Sequence, residues 1–305
     1  MAFSFGEKND ELYQLATSLR KLHSLSESKR VYLGNTREIK EGHLSDESRL
    51  PKIGLFVTCL VDFYRPSVAR ATLKLLKIAG YTNIDVPLQQ SCCGQPAYNS
   101  GDDIGSRKIA RQVIEAFSDF DYVVLPSGSC TGMIHHYPEL FAGDAPWQAK
   151  ATELVEKTWE LCRFLLEVAK IKHLPTEYRA SCTYHDSCTG LRELTIHGQP
   201  RSLMGMVSGL EIREMQDADV CCGFGGLFCV KYPEISERMV SDKVQNIENS
   251  TADTLVGGDL GCLLNMAGRL RHAGKSTRVF HVAEILAGCE DESGIAGPEG
   301  TGSAD

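Results

Sequence analysis

Gln89-Gln-Ser-Cys-Cys-Gly-Gln-Pro96 sets two adjacent cysteines before a glycine, and the combination returns as Cys221-Cys-Gly-Phe-Gly-Gly226. Working outward, Cys59 lies 33 positions before Cys92, and Cys188 lies 33 positions before Cys221. Cys130 follows Cys93 by 37 positions and Cys262 follows Cys222 by 40. A shift of 129 positions superimposes Cys59, Cys92, Cys93 and Gly94 on Cys188, Cys221, Cys222 and Gly223, while the last cysteines need a shift of 132. The approach to each last cysteine also repeats. Asp121-Tyr-Val-Val-Leu-Pro-Ser-Gly-Ser-Cys130 and Asp253-Thr-Leu-Val-Gly-Gly-Asp-Leu-Gly-Cys262 both run from an aspartate through an apolar stretch into small residues. Self-similarity at so many points identifies an internal duplication.

Each copy alternates strand and helix. Ile53-Gly-Leu-Phe-Val57 is a short apolar run that fits a buried strand leading to Cys59. Pro66 opens a helical pattern with Val68, Ala71, Leu75 and Leu76 on one face, and Gly80 follows as a stop. Residues 83–86 read as a second strand before the Cys92-Cys93 loop, 107–117 as a helix, and 121–125 as a third strand before Cys130. In the second copy, strands at 181–185, 210–213 and 254–256 precede Cys188, Cys221 and Cys262. A helix starts at Pro233, residues 278–280 fit one more strand, and 282–287 fit a closing helix. This pattern predicts an α/β fold of two pseudo-symmetric repeats, each a mostly parallel sheet with flanking helices. The cysteines then fall beyond the carboxyl ends of strands, where open parallel sheets bind ligands. The expected divisions are an N-terminal arm at 1–50, a first cysteine-rich domain at 51–175, a second at 176–289, and a disordered acidic, glycine-rich tail at 290–305.

The 305 residues carry a formal charge of −8, which argues against a nucleic-acid surface. No stretch reaches the roughly eighteen uninterrupted apolar residues of a membrane span, and the first thirty residues lack the apolar core of a signal peptide. A cytoplasmic location is expected. In that reducing compartment, twelve cysteines at repeated spacings point to metal ligands rather than disulfides.

The candidate metal ligands are Cys59, Cys92, Cys93 and Cys130 in one set and Cys188, Cys221, Cys222 and Cys262 in the other. Thiolates favour zinc, copper(I) and iron–sulfur clusters, and ordinary iron–sulfur clusters take four cysteines. Gly94, Gly223, Gly225 and Gly226 let the backbone turn and approach an inorganic core closely. Cys162 and Cys289 read as packing thiols, as do Cys182 and Cys229, although Cys229 is close enough in sequence to Cys222 to reach the second pocket. His185 and Asp186 end a strand just before Cys188. Proton shuttling, a hydrogen bond to a cluster sulfur, and a locally satisfied histidine all remain open for them. His135 and His136, adjacent on a helix, face different ways and are expected at the surface.

The two arrays resemble the cysteine-rich, CCG-motif family that includes the cysteine-rich component of heterodisulfide reductase and the iron–sulfur components of glycolate and glycerol-3-phosphate oxidation. The resemblance is closer to the lactate utilization protein A family. It rests on Leu55-Phe-Val-Thr-Cys-Leu-Val-Asp62, Gln90-Ser-Cys-Cys-Gly-Gln-Pro-Ala-Tyr-Asn-Ser-Gly101, Pro126-Ser-Gly-Ser-Cys130, Thr183-Tyr-His-Asp-Ser-Cys188, Cys221-Cys-Gly-Phe-Gly-Gly226 and His281-Val-Ala-Glu284. It implies an electron-transferring iron–sulfur component of a multi-protein system that oxidises L-lactate to pyruvate. The implied partners are a ferredoxin-like iron–sulfur subunit and a third lactate utilization subunit. The implied cofactors are one or two iron–sulfur clusters of the 4Fe-4S type, with zinc in one site as the alternative. Two other functions compete: a stand-alone oxidoreductase acting on a disulfide or hydroxy acid, and a zinc-stabilised scaffold without a redox role. Relatives in the wider family often end each array with Cys-x-x-Cys, and here Ser127 and Asp259 stand at the first of those positions.

Overall fold

The structure is a computed structural model, and it describes residues 50–288 and 293–295. The chain divides into two units, residues 1–51 and 52–305, and the second holds both repeats. The N-terminal arm, Cys289 and most of the tail lie outside the described residues.

The apolar triplet β1 (Ile53–Leu55) is buried throughout and sits inside a four-stranded parallel sheet. β2 (Ile84–Asp85) lies on one side of it and β3 (Tyr122–Leu125) on the other, with Ile53 opposite both Ile84 and Tyr122. β4 (Thr158–Glu160) pairs with β3, giving the order β2-β1-β3-β4. The second repeat reproduces this sheet. β5 (Glu177–His185) and β7 (Thr254–Gly257) are central, β6 (Ser208–Ile212) and β8 (Arg278–His281) are outer, and the order is β6-β5-β7-β8, again parallel. β4 was not anticipated. Thr-Trp-Glu is too short for an alternating pattern to show, and the apolar run after it reads as helix.

Between strands run α1 (Cys59–Tyr64), α2 (Pro66–Ile78), α3 (Gln95–Ser100), α4 (Asp103–Ala116), α5 (Gly128–His135), α6 (Tyr137–Leu140) and α7 (Ala145–Glu156). After β4, α8 (Leu161–Arg163) runs into a π-helical turn at Phe164–Val168. The second repeat has α9 (Cys188–Arg192), α10 (Gly198–Met204), α11 (Phe228–Lys231), α12 (Pro233–Asn249), α13 (Leu260–His272) and α14 (Val282–Ala287). Pro66 occupies the first turn of α2, where its missing N–H costs nothing, and Gly80 beyond the helix adopts φ +91°.

Three apolar clusters fill these layers. Phe56, Val113, Phe117, Val123 and Ile134 belong to a cluster within the first repeat, and Val240, Leu255, Leu263, Met266 and Val279 to one within the second. The largest cluster draws on both, with Leu55, Leu75 and Phe164 joined by Tyr184, Leu203, Phe280 and Leu286. Cys162 and Cys182 are fully buried in this shared core, as packing thiols should be. The helices cross over: α2 of the first repeat packs on α14 of the second, and α10 of the second on α8 of the first. At the α2–α14 seam Arg65 Nε is 2.8 Å from Glu284 Oε1, and Ser67 Oγ donates to the same oxygen at 2.6 Å. Residues 293–295 return along β8, where Ile295 N donates to Val279 O. No helix among the described residues is long and apolar enough to cross a membrane.

Candidate functional site

Each cysteine segment follows a strand, so the parallel order of each sheet delivers its sulfurs to one edge. Cys59 opens α1 beyond β1, and Cys130 lies in the first turn of α5 beyond β3. Cys92 and Cys93 sit between them in the loop beyond β2. Cys188 opens α9 beyond β5, Cys262 lies in the first turn of α13 beyond β7, and Cys221 and Cys222 occupy the matching loop.

In the first repeat the Cys59 thiol donates to Cys92 Sγ at 3.8 Å, and Cys93 interacts with both Cys92 and Cys130. In the second, Cys188 interacts with Cys221, and Cys222 with both Cys221 and Cys262. The sulfurs of each quartet therefore form a chain of contacts. In each, two cysteines are half-buried (Cys59 and Cys92, Cys188 and Cys221) and two are buried.

This crowding splits the protons. The hydrogen bonds from Cys59 and then Cys93 bring the Cys92 thiol down to about 3, against the opposing effect of burial. Donation to Cys92, followed by burial, pushes Cys59 up. Backbone N–H groups add matching support. Gly94 N donates to Cys92 Sγ and Gly223 N to Cys221 Sγ, each at 3.4 Å. Side chains pin the other member of each pair through its carbonyl: Tyr137 Oη donates to Cys93 O at 2.8 Å and Asn265 Nδ2 to Cys222 O at 2.9 Å. Spacing alone gave no signal for Tyr137 or Asn265, because they sit at unrelated positions in the two repeats.

The turns after the pairs require glycine. Gly94 and Gly223 have φ +87° and +84°, and a Cβ on Gly223 would lie 2.9 Å from Ser236 O. Gly225 and Gly226 also have positive φ, at +51° and +65°. Cys229, in α11, donates to Gly226 O at 3.4 Å.

His185 and Asp186 diverge. His185 is 1% exposed, and a ring nitrogen, Cys222 Sγ and Cys262 Sγ all lie within 4.8 Å of one another. Neither ring nitrogen reaches hydrogen-bond geometry with any group, although the Ala218 carbonyl lies beside the ring and favours its charged form. Burial, then the nearby Lys243 charge, hold this imidazole down at about 3, so it is neutral. Asp186 instead turns to Arg201, whose two terminal nitrogens approach its oxygens at 2.8 and 2.9 Å. Lys243, buried beside this quartet and donating to Asp217 O, was not anticipated from the sequence. His135 and His136 are both half-buried rather than at the surface as expected, His135 near Thr158 O and His136 3.0 Å from Glu193 of the other repeat.

Ser127 and Asp259, equivalent residues of the two repeats, meet each other. Ser127 Oγ lies 3.3 Å from Asp259 Oδ2, which also accepts from Ser129 N at 2.8 Å. These positions join the repeats, and α1 of the first packs on α13 of the second.

The model of the cysteine-rich CCG domain matches twice, at residues 53–135 and 182–267. Lactate utilization protein A of Halalkalibacterium halodurans is 46% identical over 235 residues, spanning 77% of this chain and 96% of that protein. The protein of the same name from Oceanobacillus iheyensis is 42% identical over 80% of this chain and all of its own length. The chain belongs to the lactate utilization protein A family of CCG proteins. The two domain matches contain all eight repeated cysteines and leave the last strand of each sheet, β4 and β8, outside. At the level of fold alone, a hypothetical protein from Helicobacter pylori superposes with TM-score 0.56 at 12% identity, over 77% of this chain. The chain spans about half of that protein, 48% of its length.

The donor chemistry fits a thiophilic metal or cluster. Four cysteines linked by contacts in each repeat, an N–H group aimed at one sulfur of each set, and a buried imidazole beside the second set are donors that such a group would use.

Proposed function

We propose that this chain is an iron–sulfur electron carrier in a multi-protein system that oxidises L-lactate to pyruvate in the cytoplasm. The observation that carries the reading is the convergence of two cysteine quartets within a chain 46% identical to proteins named for lactate utilization. Cys59, Cys92, Cys93 and Cys130 would hold one centre, and Cys188, Cys221, Cys222 and Cys262 the other. An iron–sulfur cluster there supplies reversible one-electron storage. Two sites match the two electrons released when lactate becomes pyruvate. The chain's own residues position the sulfurs, screen their charge with the N–H groups of Gly94 and Gly223, and bring α1 and α13 together between the sites.

The half-buried outer sulfurs leave an edge of each site open to an electron donor or acceptor. Exposed apolar side chains flank these segments: Phe63 and Tyr64 follow Cys59, and Val230, Tyr232 and Ile235 follow Cys222. Such groups favour a docking partner, here a ferredoxin-like iron–sulfur subunit together with a third component. Anaerobically purified protein should show broad visible absorption that bleaches when lactate and the partner subunits are added. Lactate alone should leave the spectrum unchanged. Bleaching by lactate without partners would make the chain an oxidoreductase in its own right, and a colourless protein would overturn the redox role.

A further inference from the structure

The duplication is broken at one position beside the sulfurs. The residue three before Cys188 is His185, and the residue three before Cys59 is Phe56. Phe56 is fully buried and stacks on Phe117 with ring centroids 5.2 Å apart, so the first site has a hydrocarbon wall there. In the second repeat the same wall presents an imidazole. It is 1% exposed and both its nitrogens lack a hydrogen-bond partner. A buried polar group left unsatisfied bears its full desolvation cost, so such a group needs a partner. The Ala218 carbonyl lies beside the ring without reaching hydrogen-bond geometry, and the atoms at metal-ligand spacing from one ring nitrogen are Cys222 Sγ and Cys262 Sγ. A neutral imidazole is a good donor to zinc and to iron.

We infer that His185 is a nitrogen ligand of the second centre, sharing it with Cys222 and Cys262, while the first centre is ligated by sulfur alone. The two centres are thus chemically unequal. This inference rests on the proposal that the quartets hold metal, but not on which metal.

The test uses the full chain purified anaerobically, with Cys59→Ser and Cys130→Ser emptying the first site. X-ray absorption is then recorded at the edge of whichever metal remains, iron or zinc. The expected spectrum has a nitrogen shell with imidazole scattering in addition to sulfur. Adding His185→Phe, which copies the first repeat, should abolish the imidazole scattering while circular dichroism shows the fold retained. A sulfur-only shell overturns the inference, as does imidazole scattering that persists in His185→Phe. Should His185→Phe fail to fold, His185→Gln is the replacement, with the same loss expected. Zinc with a nitrogen shell supports the inference and overturns the redox proposal. Iron with sulfur alone does the reverse. A second site free of metal overturns both.

Discussion

At the residue scale, single groups decide whether the cysteines meet. Gly223 turns the chain immediately after Cys222 at φ +84°, and a methyl group there would press on Ser236 O. The left-handed conformation alone costs a non-glycine residue about 1–2 kcal/mol. Gly223→Ala should therefore destabilise the protein by about 2 kcal/mol or more in urea denaturation and reduce metal at the second site. Glu160 makes a different prediction. Burial raises its carboxyl from 4.5 to about 7, with Asp259 adding to the shift and the N–H of Arg163 opposing it. The unfolded chain loses this proton first as pH rises, so between about 4.5 and 7 the folded state binds more protons and stability falls with pH. The full effect is about 3 kcal/mol. Glu160→Gln keeps an acceptor for Arg163 N, 3.1 Å away, and should flatten that part of the profile. Comparing urea midpoints of the two proteins at pH 5 and pH 8 checks it; parallel profiles would contradict it.

At the scale of elements, the recurring unit is strand, cysteine, helix. The seam between α2 and α14 fixes two such units together through Arg65 and Glu284, whose side chains are 11% and 0% exposed. Removing one partner of a buried pair strands the other charge, at a cost of about 3–5 kcal/mol. Arg65→Met should lower the urea midpoint accordingly, in one transition that unfolds both repeats together. A second transition, or no shift, would contradict the seam's role. Much of this level was legible beforehand. The apolar runs ending at each cysteine, Pro66 with Gly80, and the helix over 282–287 are local signals, and they lie where the pattern put them. β4 was not legible, because three residues carry no period. Nor was the pairing of Ser127 with Asp259, because it depends on how distant segments pack, whereas contact of His185 with the sulfurs was one of the readings its place before Cys188 left open. The quartets themselves could be read from the duplicated spacing, since a parallel sheet gathers whatever follows its strands.

At the scale of the molecule, two repeats share one core, and each sheet contributes one wall of it. The sulfurs sit outside that shared core at the strand ends, where Cys93 and Cys130 join the first repeat's own apolar cluster and Cys222 and Cys262 the second's. Cys162 and Cys182 lie inside the core and are expected to have no part in metal binding. The metal content itself is decisive, read by metal and acid-labile sulfide analysis of anaerobically purified protein with Cys222→Ser and Cys162→Ser beside it. Iron with sulfide is expected, lowered by one site's worth in Cys222→Ser and unchanged in Cys162→Ser. Protein without bound metal, or equal loss in both variants, would contradict it.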